Sequence, residues 1–339
     1  MRDITVPQYF FSLSGKSRER IINMKGWEFT GTHQPLKIVE KPDPKAKPGY
    51  VVLKTLAGGL CHSDVSALDI ESWMPQFNVP VIMGHEVCGR ITEIGEGVEG
   101  FKVGDVVAVC PLYAKDGTTP GYTRDGGYGT MTTAPVEQLV KVPEGLPPYK
   151  AAAATDAGAT SYHALCNVGG AKEGTKVGII GVGGLGQFAV SIAVAKGCEV
   201  YVATRKPSAQ QLALSLGAKE VKANITEFTD KNLDLIVDFA GGGKTTDDAL
   251  KAVRPHGKVV LVGMATDTAT IYTYSMIFKE LTFEGSMGST TADLKDCIDL
   301  LASGKLNPEI HLCKFEDIAD GIDQLRDGKV SGRLVCVYE

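Results

Sequence analysis

Beyond residue 174 the chain alternates short β-branched, apolar runs with longer segments whose apolar positions recur at helical spacing. The short runs are "TKVGIIGV", "CEVYVAT", "LDLIVDFAG", "GKVVLVGM" and "LTFEGSMG"; between them lie "GGLGQFAVSIAVAKG", "PSAQQLALSLGA" and "TTDDALKAV". Such alternation predicts strands joined by crossover helices, and hence a parallel sheet covered on both faces. Residues 1–155 differ: Gly- and Pro-rich turns ("KPDPKAKPG", "GEGVEGFKVGD", "KVPEGLPP") separate extended runs such as "YVVLKTLAGGL" and "CGRITEIG". That pattern predicts a mainly β unit. The C-terminal stretch offers a helix, "DIADGIDQLRDG", and a strand, "GRLVCVYE", which could return to either part. No internal repeat or low-complexity tract interrupts this plan.

One segment, "VGIIGVGGLGQFAVSIAVA" at 177–195, is uncharged and almost long enough to span a bilayer. Its five glycines cluster at one point, which suits a strand, a tight turn and a helix better than one continuous span.

At 339 residues, with 43% hydrophobic content, the chain exceeds the size at which one core usually stops growing, so two domains are expected. A net charge of −5, from 35 basic and 40 acidic residues without a basic run, argues against nucleic acid and anionic membrane as partners and favours a small-molecule substrate. None of the eight cysteines forms a C-x-x-C pair, which argues against a disulfide scaffold or a compact cysteine-only zinc knuckle. The N-terminal residues lack an apolar core followed by a small-residue cleavage site, so a cytoplasmic location is expected.

The turn "GVGGLG" sets Gly181, Gly183 and Gly186 in G-x-G-x-x-G spacing, with Gly184 and Leu185 between them, directly after an apolar run and before a helical one. Glycine permits close approach of backbone to a pyrophosphate, whose charge then meets a helix N-terminus. An NAD site usually places an acid at the end of the next strand to hold the adenosine ribose. Here that position is Thr204, followed by Arg205 and Lys206, which would meet a 2′-phosphate with donors and positive charge. NADP(H) is therefore expected over NAD(H), the plainer alternative being that Arg205 and Lys206 form a solvated turn.

Two further stretches, "GGLCHSD" and "MGHEVCG", place Cys61 and His85 in glycine-lined turns beside Asp64 and Glu86. Thiol and imidazole are donors that zinc selects, and carboxylates can orient or supplement them. The lone acid in "YKAAAATDAGATSYHAL", Asp156, could be a third ligand, leaving one position open as in catalytic rather than structural zinc sites. Taken singly, each has a bland reading. Cys61 could be a small buried thiol, Asp156 a helix N-cap, Ser63 a turn hydroxyl, His62 a surface histidine and Glu86 a charged turn residue.

The combination of "GLCHSD", "GHE", "GFKVGDVVAV", "GGYGTMTTAP", "TSYHAL", "GVGGLGQFAVSIAVAKG" and "GKVSGRLV" resembles the medium-chain, zinc-dependent alcohol dehydrogenases over residues 24–339. The resemblance implies a GroES-like β catalytic domain over residues 1–157, a Rossmann, doubly wound dinucleotide-binding domain over 158–303, and a return to the catalytic domain over 304–339. It implies one catalytic Zn2+ on Cys61, His85 and Asp156, the last at a position where many members carry cysteine and others a carboxylate. Glu86 would be an acid able to approach the metal, Asp64 the partner of His85, and Ser63 the holder of the alcohol proton. His62 and Arg333 would lie near the cofactor pyrophosphate. The chain departs from members with a second, structural zinc, since the loop "CPLYAKDGTTPGYTRDGGYG" supplies only Cys110; no structural zinc is expected. Ser66 stands where some members have a histidine. The expected activity is interconversion of an alcohol with its aldehyde or ketone using NADP(H), in a homodimer or homotetramer. Two alternatives stay open: a zinc-free NADPH-dependent quinone or enoyl reductase of the same superfamily, and a non-enzymatic dinucleotide-binding protein.

Overall fold

The computed structural model describes residues 23–338. Residues 1–22, which the leader expectation concerns, lie outside the described part.

Six strands form one parallel sheet in the order Glu220–Lys222, Glu199–Ala203, Lys176–Ile180, Leu235–Asp238, Lys258–Leu261 and Thr282–Gly285. The chain starts in the middle, runs out to one edge and then fills the other, so strand order reverses beside Lys176–Ile180. The inner strands' near-continuous burial, as in Leu235–Asp238, follows from helices on both faces. The apolar segment at 177–195 resolves into the strand Lys176–Ile180, a glycine turn and the helix Gly184–Ala195. Among the described residues no helix is long and apolar enough to cross a membrane.

Residues before this sheet, together with the strands Ile310–Cys313 and Arg333–Val337 after it, build a seven-stranded sheet around Tyr50–Leu60, which pairs antiparallel with Glu86–Ile94, Met131–Pro135 and Arg333–Val337. The C-terminal strand thus returns to the β part. A three-stranded sheet, Lys37–Pro42, Asn23–Phe29 and Val81–Ile82, flanks it.

Two features place the site. The long strand ends at Leu60 in register with Glu86 through the pair Gly59 and Glu86, so Cys61 leaves one strand beside the point where His85 enters its neighbour. Gly59 is required there because a Cβ would lie 1.7 Å from Glu86 Oε2. Against this corner packs a helical run from Pro148 to Val168, whose fully buried alanines 151–154 let its backbone come close. The run is α-helical over Pro148–Ala153, widens to a π turn over Ala154–Gly158, returns to α over Ala159–Tyr162 and ends in a second π turn, His163–Val168. Asp156 sits inside the first π turn, a feature that frequently accompanies functional sites. The N-cap reading of Asp156 is thereby overturned, because no helix starts there.

Candidate functional site

Cys61, His85, Glu86 and Asp156 each direct a donor atom into one cluster, all within 4.8 Å of one another. Asp156 Oδ2 lies 3.6 Å from Cys61 Sγ and 3.5 Å from His85 Nε2. A tetrahedral ion with arms of about 2.0–2.3 Å spaces its ligand atoms about 3.3–3.8 Å apart. Both separations from Asp156 are those such an ion requires. Thr160, one turn on, donates to Asp156 Oδ1 at 3.0 Å, which fixes the carboxylate with Oδ2 turned to the cluster.

The other ring nitrogen of His85, Nδ1, is 3.4 Å from Asp64 Oδ1. Asp64 is itself buried and held from two sides, by the Cys61 backbone N–H at 2.9 Å and the Tyr128 hydroxyl at 2.5 Å. It thus links the thiol's own backbone to a charge beside His85 Nδ1, on the side where a ligating histidine commonly has a carboxylate neighbour.

Electrostatics in the cluster suit a dication. Burial opposes a charge on His85, but the groups around it, Tyr122, Asp64 and Asp156, outweigh burial and hold the imidazole well above its ordinary value. Burial likewise pushes the Cys61 thiol up, and Asp156 adds to this, yet the Arg333 guanidinium and His85 more than offset them and leave it below its usual range. Burial raises Asp156 too, but hydrogen bonding and charge from His85, with Thr160 and Cys61 behind, draw it down. A thiol, an imidazole and a carboxylate drawn together out of bulk water fit zinc.

Glu86 and Arg333 are placed differently from a free ligand and a free phosphate clamp. Glu86 is fully buried and takes Arg333 on both oxygens, Nε at 3.2 Å to Oε2 and Nη2 to Oε1. Arg333 is 4% exposed, with Nη2 also 3.8 Å from Asp156. It still reaches the dinucleotide turn, since a Cβ on Gly184 would come within 2.7 Å of its Nη1. Ser63 Oγ lies 3.5 Å from Cys61 Sγ.

A cleft of about 720 Å³ opens where the order of the parallel strands reverses, and Gly181, Gly183, Thr204, Arg205, Lys206 and His62 line it. At the turn, Gly181 has φ +86° and a Cβ on Gly186 would meet the Gly181 carbonyl oxygen at 1.9 Å, so the glycines are required by backbone contact. Gly184 and Leu185 open the helix, and the Leu185 carbonyl accepts from Ser161 Oγ at 2.9 Å, clamping the turn to the helical run that carries Asp156. Arg205 is exposed in the cleft wall, whereas Lys206 Nζ donates to the Gly328 carbonyl at 3.0 Å.

Sequence reasoning missed Tyr128, Thr160, Lys244 and Lys329, the last two adding charge to the cleft wall. Thr160 had a local signal, its i,i+4 spacing from Asp156; Tyr128 is far from Asp64 in sequence and had none.

Residues 184–303 match the zinc-binding dehydrogenase family model and residues 47–144 the alcohol dehydrogenase GroES-like domain model. An alcohol dehydrogenase of Geobacillus stearothermophilus is 31% identical over 323 residues, 88% of this chain and 95% of that protein. An acryloyl-coenzyme A reductase of Sulfurisphaera tokodaii is also 31% identical, over 336 residues covering 92% of this chain and 99% of that one. Among solved structures, the acetophenone reductase of Geotrichum candidum in complex with NAD superposes with a TM-score of 0.85 at 32% identity, covering 93% and 97% of the two chains. With a GroES-like unit, a parallel dinucleotide-type sheet and relatives that are oxidoreductases along nearly their whole length, the chain belongs to the zinc-type medium-chain dehydrogenase family.

Proposed function

We propose that this chain is a zinc-dependent oxidoreductase that interconverts an alcohol and its aldehyde or ketone by hydride transfer with NADP(H). The observation that carries the reading is the convergence of Cys61, His85 and Asp156 at tetrahedral ligand spacing, one residue from the cleft wall at His62.

Cys61 Sγ, His85 Nε2 and Asp156 Oδ2 would hold the ion, with Glu86 kept by Arg333 as an acid beside it. When bound, zinc supplies a Lewis acid that polarises the substrate oxygen and lowers the pKa of an alcohol. Ser63 Oγ takes the alcohol proton during oxidation as its own hydroxyl proton passes on to water, and the relay runs the other way during reduction. Asp64 keeps the His85 ring oriented, and Tyr128 and the Cys61 amide keep Asp64 in place. His62 faces the cofactor from the cleft wall, while Arg333 backs the turn at Gly184.

Thr204, Arg205 and Lys206 support NADP(H), since they offer a hydroxyl and two cations where an acid would serve NAD(H). The open edge of the parallel sheet at Thr282–Gly285, beside a helix that exposes Ile277 and Phe278, supports a homo-oligomer, dimer or tetramer.

The acryloyl-coenzyme A reductase relative favours one second reading, NADPH-dependent reduction of a conjugated double bond. Metal content per chain in wild type and Asp156→Ala, with NADPH oxidation followed against aldehydes, ketones and enones, separates the two. Zinc near one ion per wild-type chain, lost together with carbonyl reduction in the variant, supports the zinc reading. Metal-free wild type prepared without chelator, with enone reduction surviving the substitution, moves the chain to the second reading. Cofactor binding without turnover of any panel member would overturn both.

A further inference from the structure

Outside the site, two cysteines on neighbouring strands face each other. The strand Ile310–Cys313 forms the edge of the seven-stranded sheet and pairs in parallel with Arg333–Val337, and the register sets Cys313 directly opposite Cys336. Directly opposed residues of paired strands point to the same face, and both thiols pack on one apolar cluster that includes Trp27 and Phe315. Neighbouring strands lie about 4.7–4.9 Å apart, within the Cα separation of about 4.4–6.8 Å that a disulfide spans. The two differ in access: Cys336 is fully buried and Cys313 half-buried on the outermost strand.

We propose that Cys313 and Cys336 form a thiol–disulfide exchange site whose oxidant is a low-molecular-weight disulfide. The Cys313 thiolate attacks one sulfur of the oxidant and releases the other as a thiol, leaving a mixed disulfide. Cys336 gives its proton to solvent and its sulfur displaces the remaining small thiol. The pair loses two electrons and two protons, and the oxidant takes them up as two thiols. The roles follow from access and are supported by polarity. The neighbouring Cys336 draws the Cys313 thiol below its ordinary value despite burial, while Cys313 and burial together drive Cys336 upward. The half-buried member is the attacking thiol and the buried one resolves it.

The consequence reaches the site through one strand. Cys336 shares Arg333–Val337 with Arg333, whose guanidinium holds Glu86 beside the zinc donors. A disulfide at Cys336 fastens the outer strand to that segment.

The test treats the full-length protein with glutathione disulfide and reads intact mass, peptide maps and alkylation. Wild type is expected to lose two hydrogens, yield a linked peptide containing Cys313 and Cys336, and lose alkylation at both until dithiothreitol restores it. Cys336→Ser is expected to stop at a glutathione adduct on Cys313, and Cys313→Ser to give neither product at this pair. Because Cys336→Ser alters a buried position, Cys336→Ala is carried in parallel and the wild-type peptide map stands alone. A stable adduct on Cys313 in wild type, unchanged alkylation of Cys313, or linkage to a different cysteine overturns the proposal.

Discussion

The Tyr128 hydroxyl lies 2.5 Å from Asp64 Oδ2, and Asp64 Oδ1 faces His85 Nδ1 at 3.4 Å, so a phenol outside the donor cluster sets the orientation of a ring inside it. Tyr128→Phe keeps the ring and deletes that bond. Residues that orient metal ligands in this way are worth about 10–100-fold in metal affinity. We expect zinc loss to a chelator to accelerate by at least about 10-fold, with unfolding stability lowered by about 1.5–3 kcal/mol for a buried bond to a charged group. Zinc release followed with a chromogenic chelator reads the first, and denaturant midpoints the second. Unchanged release kinetics would reduce Tyr128 to packing.

Much of this was legible beforehand because it is written in local chemistry. The strand and helix alternation after residue 174 carries its own periodicity, and the dinucleotide turn is a contiguous motif whose glycines answer to a backbone contact between Gly186 and Gly181. Cys61 and His85 were legible as candidate donors from residue type and glycine-rich surroundings. What sequence could not show depends on register and on long-range pairing. The Gly59–Glu86 register brings two distant loops together, and the Glu86–Arg333 pair joins residues 247 apart. The π turn around Asp156 was equally hidden, because "AAAATDAGAT" has the propensity of an ordinary helix, and packing alone selects the wider turn that aims the carboxylate.

Gly59 offers a test of the Glu86–Arg333 pair. In Gly59→Ala the new methyl would occupy the space of Glu86 Oε2, 1.7 Å from the Cβ, and the carboxylate must leave Arg333. Breaking a buried pair costs about 3–5 kcal/mol because one charge stays uncompensated. We expect a loss of that order in denaturant unfolding, measured with zinc saturating. A loss below about 1 kcal/mol, as for an exposed pair, would mean that the corner relaxes freely.

Cofactor choice is expected to turn on the cleft wall at 204–206. Thr204→Asp supplies the ribose acceptor of an NAD site and repels a 2′-phosphate, while Arg205→Ala removes a cation. The double variant should raise KM for NADPH by about 10–100-fold, a loss of about 1.4–2.8 kcal/mol, and lower it for NADH. Steady-state kinetics with each cofactor decides this. If the ratio of kcat/KM for the two cofactors stays fixed, these residues form a solvated turn and not the phosphate site.

The loop that begins at Cys110 and supplies no further cysteine is fastened by a half-buried arginine. Arg124 donates from Nε to the Thr133 carbonyl at 3.0 Å and from Nη1 to Thr118 Oγ1 at 2.9 Å, and a third donor, Nη2, reaches Gln138 Oε1. Gln138 passes the connection on to the Leu112 carbonyl. Burial pulls the Arg124 guanidinium down to about 10, against the opposing charges of Tyr50, Asp116 and Glu137, so its place in the lobe rests on these bonds and not on a close ion pair. Arg124→Met fills comparable volume but leaves several acceptors unpaired, each costing about 1–3 kcal/mol when buried. We expect a stability loss of about 2–4 kcal/mol and new protease cleavage confined to 110–124, with the zinc content of the protein unchanged. Cleavage appearing across the whole chain would make the effect global unfolding, and an unaltered digestion pattern would show that the lobe is held by other contacts.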